Sequence, residues 1–302
     1  MFKSKNGMSR ALVRRETTAG YLFLLPSLFF FVTFVLYPMF LCIYTSFFDS
    51  NMGKNAVDVF VGLGNYKELF QDKLFLGALK NTVLIVVVAV PTVCAFSLWV
   101  ATAIYDMKPA LTSAFRCIFY LPVVTGSVAV TVVWKWMYNS RFGVFNYLFK
   151  SLGIIDQNIN WLGDARFALW CIILILFTTS VGQPIVLYVS ALGNVDHSLV
   201  EAAQVDGANR RQVFWKIKWA QIMPTTLYIL IITTINSFQC FALIQLLTSG
   251  GPTHSTDTIM YYIYYTAFKL YRYGYGNAMG VVLMIIIAVL SAVQFKLGQQ
   301  SD

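Results

Sequence analysis

Charged side chains are scarce in this sequence. Only 12% of its 302 residues are Asp, Glu, Lys or Arg, about half of the roughly 25% that soluble domains carry. The charges are separated by long uncharged gaps, whose lengths are close to or above the roughly 20 residues that a helix needs to cross a bilayer. These gaps run from Glu16 to Asp49, Lys80 to Asp106, Arg116 to Lys135, Arg166 to Asp196, Lys218 to Asp257 and Arg272 to Lys296. An ordinary water-soluble domain is therefore excluded. Because lipid offers no water to backbone polar groups, we expect each gap to be helical.

Groups that carry out chemistry are missing as well. At membrane depth the predicted spans hold no carboxylate, histidine or lysine of the kind that proton- or sodium-driven transporters usually need, and the two histidines, His197 and His254, lie in loops. The phosphate-cradling pattern G-x-x-x-x-G-K-[ST] is absent, as are a Ser/His/Asp set and a cluster with metal-ligand spacing. The five cysteines contain no C-x-x-C pair, which argues against a metal or disulfide framework. We therefore expect a chain that is not an enzyme, with no catalytic residue, cofactor or metal of its own, powered by another protein.

The residues that are present are mostly hydrophobic, and those with charge are mostly basic. Hydrophobic residues make up 58% of the chain, and the formal net charge is +9. The basic residues lie in loops beside the gaps, so membrane lipid headgroups are the expected partner, and nucleic acid is not. The N-terminal tail, residues 1–19, is basic, and the positive-inside rule places it in the cytoplasm.

These observations predict an all-α integral membrane protein with six transmembrane helices and both termini in the cytoplasm. After the tail, residues 20–73 form the first transmembrane helix and an outer loop, and residues 74–297 form a core with five transmembrane helices. Residues 191–221 form a long cytoplasmic loop within that core. The predicted spans are 20–48, 77–104, 115–137, 167–190, 222–247 and 274–296.

A few neutral polar residues remain at membrane depth. Gln183 lies in the fourth predicted span, and Asn236 and Gln239 lie in the fifth, three residues apart and so on one helix face. Hydrogen bonding between helices is the simpler interpretation of such residues. The alternative is that these three residues line a pathway and bind a neutral, hydroxyl-rich solute.

The cytoplasmic loop contains a short amphipathic segment from Ser198 to Ala208. Ser198 and Glu201 have the spacing of a capping box, and Gly207 stands where the helix should end and the chain reverse. Pro224 is predicted to lie in the first turn of the fifth span, where a proline is tolerated. Taken alone, this pattern indicates only a capped connector.

The order of residues in this loop resembles the E-A-A-x-x-x-G motif of permease subunits of ATP-binding-cassette importers. Glu201, Ala202 and Ala203 carry the first part, Gly207 follows six residues after the glutamate, and Asp206-Gly207-Ala208 is similar to the carbohydrate-uptake branch. The family's proline after Ile217 is absent. Further similar segments occur in the family's order along the chain: Val61 to Tyr66, Asn81-Thr82, Leu121-Pro122, Trp134-Lys135-Trp136, and Leu247 to Pro252 followed by Thr256.

The resemblance implies the type I importer permease fold in the cytoplasmic membrane of a bacterium. It also implies a second permease subunit, two ATPase subunits that use ATP and Mg²⁺, and an extracytoplasmic solute-binding protein that delivers a sugar or oligosaccharide. The coupling residues would be Glu201, Ala202, Ala203, Asp206 and Gly207. ATP binding would move the loop and switch the pore by rigid-body alternating access.

Two other functions remain open at this point. A stand-alone channel or facilitator would not need the Glu201 loop and would conduct without ATP. A membrane scaffold would have no pathway at all. Copurification separates the three, because only the importer would carry an ATPase and a second permease subunit.

Overall fold

The computed structural model describes residues 10–50 and 58–299. Residues 1–9 of the predicted tail and residues 51–57 of the first predicted outer loop lie outside the described residues. The described chain is largely helical, with α1 Arg10–Phe31, α2 Tyr37–Thr45, α3 Gly64–Leu69, α4 Lys73–Ile104, α5 Pro109–Val124, α6 Ser127–Met137, α7 Val144–Ser151, α8 Ala168–Ser180, α9 Gly182–Gly193, α10 His197–Val205, α11 Arg210–Val213, α12 Trp219–Phe238, α13 Ala242–Leu247, α14 Ile259–Tyr264 and α15 Tyr273–Gln299. Three π-helical turns occupy Val32–Leu36, Phe214–Lys218 and Tyr265–Lys269, and the short strands β1 Phe48–Asp49 and β2 Val59–Phe60 pair antiparallel.

The predicted membrane-spanning helices are confirmed in number. Among the described residues, five helices are long and apolar enough to cross a bilayer, and α5 with α6 makes a sixth when the bent pair counts as one span. The five are Thr17–Thr45, Lys73–Ile104, Ala168–Gly193, Arg210–Leu247 and Tyr273–Gly298. The side of the membrane on which the termini lie stays a prediction.

The third predicted span, 115–137, is wrong as a single straight helix. It divides into α5 and α6, which meet at an angle of 95°. Thr125 and Gly126 at the junction both have extended ψ angles, 128° and 139°. Glycine is a poor helix residue, and hydropathy does not register such a break because the residues on both sides are equally apolar.

The fifth predicted span also differs from the structure at both ends. A continuous helical path starts at Arg210, passes through the π-helical turn and enters α12, so Pro224 lies inside a helix and does not open one. At the other end α12 stops at Phe238, Gln239 caps it, and α13 begins only at Ala242. Residues 210–221, which were predicted to belong to the cytoplasmic loop 191–221, are therefore continuous with the helix of this span.

The core of the bundle is formed by α4, α9 and α12. Ile185 and Ile222 are fully buried there, and Tyr188 and Ile229 are 1% exposed. Gly182 allows α9 to approach α5 closely, because a Cβ at this position would lie 2.3 Å from the Phe119 carbonyl oxygen. By contrast, the most apolar stretch of the helix Thr17–Thr45 has no buried residue in the isolated chain.

The two ends of the bundle carry different groups. At one end, here named the α10 end, Lys218 lies over the Tyr105 ring, and Gly298 contacts Leu227. At the opposite end, named the α14 end, Arg272 forms a bidentate ion pair with Glu68 at 2.8 Å. The long α15 helix joins the two ends.

Candidate functional site

The helix that carries the predicted motif begins two residues earlier than the capping-box pattern suggests. Asp196 is the N-cap of α10, and its Oδ1 accepts a hydrogen bond of 2.9 Å from the Ser198 N–H. The predicted capping box of Ser198 and Glu201 is therefore wrong, because Ser198 already lies within the first turn. Hydrogen bonding from Ser198 holds the pKa of the Asp196 carboxyl below its usual value.

The end of α10 is closed by a Schellman motif, as the position of Gly207 predicted. The Ala208 N–H donates to the Ala203 carbonyl at 2.9 Å, and the Gly207 N–H donates to the Gln204 carbonyl at 3.1 Å. Gly207 has a φ of +81°, in the left-handed region that favours glycine. Its own Cβ position is open, since no atom lies within 4 Å, so the conformation alone selects glycine.

A second cap follows at once. Asn209 and Gln212 form a reciprocal capping box, with bonds of 2.8 and 2.9 Å between side chain and backbone N–H. The Gln221 side chain accepts from the Asp196 N–H at 3.3 Å and ties the start of the loop to α12. Both helix ends within this loop are thus satisfied internally, which gives a fixed projection and not a loose connector.

The projection presents the predicted coupling residues outward. Glu201, Ala202, Asp206 and Gly207 are exposed, and Ala203 is partly exposed. Val205 is 88% exposed, an unusual position for an apolar side chain, and no residue of α10 is buried. Within the described chain the Glu201 carboxylate makes no hydrogen bond or ion pair, so it is available to a partner.

Two of the three predicted pathway residues meet at one cavity. Gln183 at the start of α9 and Asn236 near the end of α12 line a cavity of about 150 Å³, together with Val123, Thr179, Ser180, Pro184, Leu187, Tyr228, Ile229, Ile232 and Thr233. Gln239 is exposed but does not line it, because it stands at the break where α12 ends. The cavity lies at membrane depth and combines amide and hydroxyl groups with apolar walls.

The volume of this cavity limits what one chain can hold. Small-molecule sites usually measure about 300–1,000 Å³, well above 150 Å³. The side chains of Gln183 and Asn236 are both exposed in the isolated chain. The cavity therefore has the character of part of a site that a second surface would complete.

Sequence reasoning missed a buried carboxylate at the α14 end. Asp257 is 1% exposed, and its Oδ2 pairs with His254 Nδ1 at 2.7 Å. Burial raises the pKa of Asp257, against the effect of His254. A Cβ on Gly250 would lie 2.0 Å from the Asp257 Oδ1. The Ser249-Gly250-Gly251-Pro252 run was the available signal, since a glycine there leaves room for the carboxylate.

Comparison with known proteins agrees with this arrangement. Residues 21–299 match the family described as binding-protein-dependent transport system inner membrane component. The probable ABC transporter permease protein YesP of Bacillus subtilis is 33% identical over 288 residues, 94% of this chain and 91% of the relative. The lactose transport system permease protein LacF of Rhizobium radiobacter is 32% identical over 288 residues, 94% of this chain and 95% of the relative.

A solved structure shares the fold. The bacterial ABC transporter involved in the import of the acidic polysaccharide alginate superposes with a TM-score of 0.82, covering 97% of this chain and 99% of that chain at 23% identity. The predicted importer permease fold is thereby confirmed. With a family match across nearly the whole sequence and relatives above 30% identity, this chain belongs to the inner membrane components of binding-protein-dependent transport systems and is a multi-pass membrane protein.

Proposed function

We propose that this chain is a permease subunit of an ATP-driven importer of a sugar or oligosaccharide. It would form the membrane pathway with a second permease subunit, and two separate ATPase subunits would bind ATP and Mg²⁺. An extracytoplasmic solute-binding protein would deliver the substrate. The chain has no phosphate-cradling motif, and energy therefore reaches it through contact with another protein.

The observation that carries this proposal is the closed projection around α10. A loop that only joined two spans would not need an N-cap, a Schellman motif and a capping box within Asp196–Gln212. Glu201 and Val205 remain exposed at its surface, which suits insertion into a cleft of another protein. Because α11 continues into α12 without a break, a push on the projection is transmitted directly to the helix that lines the pathway.

The proposed substrate class follows from the cavity and from the relatives. Amide and hydroxyl groups of Gln183, Asn236 and Thr233 line it, with no charged side chain among its lining residues, as suits a neutral polyol. Relatives named for lactose and for multiple sugars support sugar as the class. The small volume favours sharing of the solute with the second permease subunit.

The decisive experiment places the variant Glu201→Lys in the complete transport system in cells. We expect normal membrane insertion and abundance, with solute uptake lost. The control Asp156→Lys makes the same charge change at an exposed carboxylate in a different loop and should leave uptake intact. Normal uptake by Glu201→Lys, or failure of a cysteine at position 201 to cross-link to an ATPase subunit, would overturn the assignment of the loop.

A further inference from the structure

We propose that a cavity behind α10 binds the phosphate headgroup of an anionic phospholipid. The cavity measures about 750 Å³ and lies between the end of α4, the inner face of α10 and the start of the long helix at Arg210. Its polar and aromatic lining includes Tyr105, Asp106, Arg210, Arg211, Trp215 and Lys218. None of these residues belongs to the predicted coupling motif or to the cavity lined by Gln183 and Asn236, here named the solute cavity.

The charge of the lining favours an anion. Arg210, Arg211 and Lys218 face a single acidic residue, Asp106. The Lys218 ammonium lies 4.5 Å from the centre of the Tyr105 ring and donates to the Tyr105 hydroxyl. It therefore has an aromatic and a neutral partner but forms no ion pair among the described residues. Guanidinium groups bind phosphate oxygens in bidentate fashion, so two arginines and a lysine match a phosphodiester.

The position of the cavity favours a lipid over a soluble anion. Arg210 begins the membrane-spanning helix, and Trp215 follows at the π-helical turn, where it is 53% exposed. Trp215 and Trp219 lie 5.5 Å apart, and tryptophan is enriched at the level of lipid headgroups. Basic pockets between helices at this level are suited to anionic headgroups. The acyl chains would extend beside α12.

A bound headgroup would leave the outer surface of α10 free. Val200 and Gln204 are one turn apart on α10, and both line the cavity. Val205, 88% exposed, and Ala202 lie on other faces of the helix. A lipid in the cavity would therefore support α10 from behind while a partner contacts the front.

The test measures lipid retention by the purified full-length chain. The protein is exchanged from nanodiscs with phosphatidylglycerol or phosphatidylcholine into detergent, and retained lipid is measured by native mass spectrometry. We expect Arg211→Gln with Lys218→Gln to weaken phosphatidylglycerol retention about tenfold or more. The control Lys108→Gln with Lys216→Gln removes two exposed cations outside the cavity lining and should retain the lipid. The charge-preserving exchange Arg211→Lys with Lys218→Arg should also retain it and shows that the site tolerates substitution.

Three results would overturn the proposal. One is equal retention of phosphatidylglycerol by the Gln variant and its control. Another is sn-glycerol 1-phosphate binding with the affinity of the lipid, which would identify a soluble-anion site. The third is loss of ATPase copurification with unchanged lipid retention, which would assign the cations to a protein contact. Lipid retention does not depend on transport, so failure here is distinguishable from failure of the proposed function.

Discussion

The Tyr262 hydroxyl donates a hydrogen bond of 2.8 Å to the Asp72 carboxylate, 190 residues earlier in the chain. The same oxygen accepts a second bond of 2.8 Å from Tyr275, while the other oxygen caps α4 at the Leu74 N–H. One carboxylate thus joins α4, α14 and α15 at the α14 end. Both tyrosines are at most 5% exposed, so their hydroxyls depend on this acceptor.

Tyr262→Phe removes one of these bonds and leaves the ring in place. A hydrogen bond to a charged group contributes about 1.5–3 kcal/mol, and we expect the lower end of this range because Asp72 is partly exposed. Chemical unfolding in mixed micelles measures the loss. Tyr147→Phe, at a side chain 77% exposed, is the control and should be neutral. Equal stability of the two variants would show that the hydrogen bond from Tyr262 to Asp72 contributes nothing.

Acid should weaken the same cluster. Burial favours the neutral carboxyl, but hydrogen bonds from the two tyrosines and from two backbone N–H groups outweigh it, so the pKa of Asp72 is lowered. A carboxyl whose pKa is lower in the folded state stabilises the fold fully at pH values above its unfolded pKa of about 3.9. This stabilisation is lost as the pH falls through the folded pKa. The double variant Tyr262→Phe with Tyr275→Phe lacks both tyrosine bonds. We expect the difference in free energy of unfolding between the natural chain and this variant to shrink as the pH falls below about 4. A constant difference from neutral to acid pH would contradict this.

Gly207→Ala tests the turn that closes α10. Its Cβ meets no atom within 4 Å, so any effect comes from the positive φ, at about 1 kcal/mol. We expect amide hydrogen exchange across α10 to accelerate about fivefold, with partial recovery in Gly207→Asn because asparagine tolerates this conformation. Gly193→Ala, also with an open Cβ position, should leave exchange unchanged. Unchanged exchange in Gly207→Ala would mean that the loop relaxes freely.

Gly182→Ala tests the close approach of α9 to α5. The added Cβ would meet the Phe119 carbonyl oxygen at 2.3 Å and the Val123 Cγ2 at 2.8 Å. A backbone oxygen cannot rotate away, so the helices must separate, at about 1–3 kcal/mol. Gly77→Ala in α4, where no atom lies within 4 Å, is the helical control. Thermal unfolding in detergent should separate the two variants, and identical midpoints would refute the contact.

The sequence was informative where one local pattern determined the structure. Charge gaps predicted the spans, and Gly207 predicted the end of α10. Hydropathy could not predict the bend at Gly126 or the break after Phe238, because apolar composition does not report helix continuity. The capping-box spacing pointed to Ser198 and missed Asp196, because serine and aspartate both cap helices well and the spacing to Glu201 favoured serine. The Asp72 and Tyr262 pair was out of reach because its members are 190 residues apart.

The three predicted pathway residues can be compared with one another, because Gln183 and Asn236 line the solute cavity and Gln239 does not. Gln183→Ala and Asn236→Ala each remove an amide from the cavity, and we expect each to raise the solute concentration for half-maximal uptake about tenfold, the scale of a lost hydrogen bond. Gln239→Ala removes the same kind of amide outside the cavity lining and should have a smaller effect. Abundance in the membrane and ATPase stimulation without solute should be unchanged in all three variants. Should Gln239→Ala impair uptake as strongly as the others, the pathway would extend to the break after α12, and the cavity would be only a part of it.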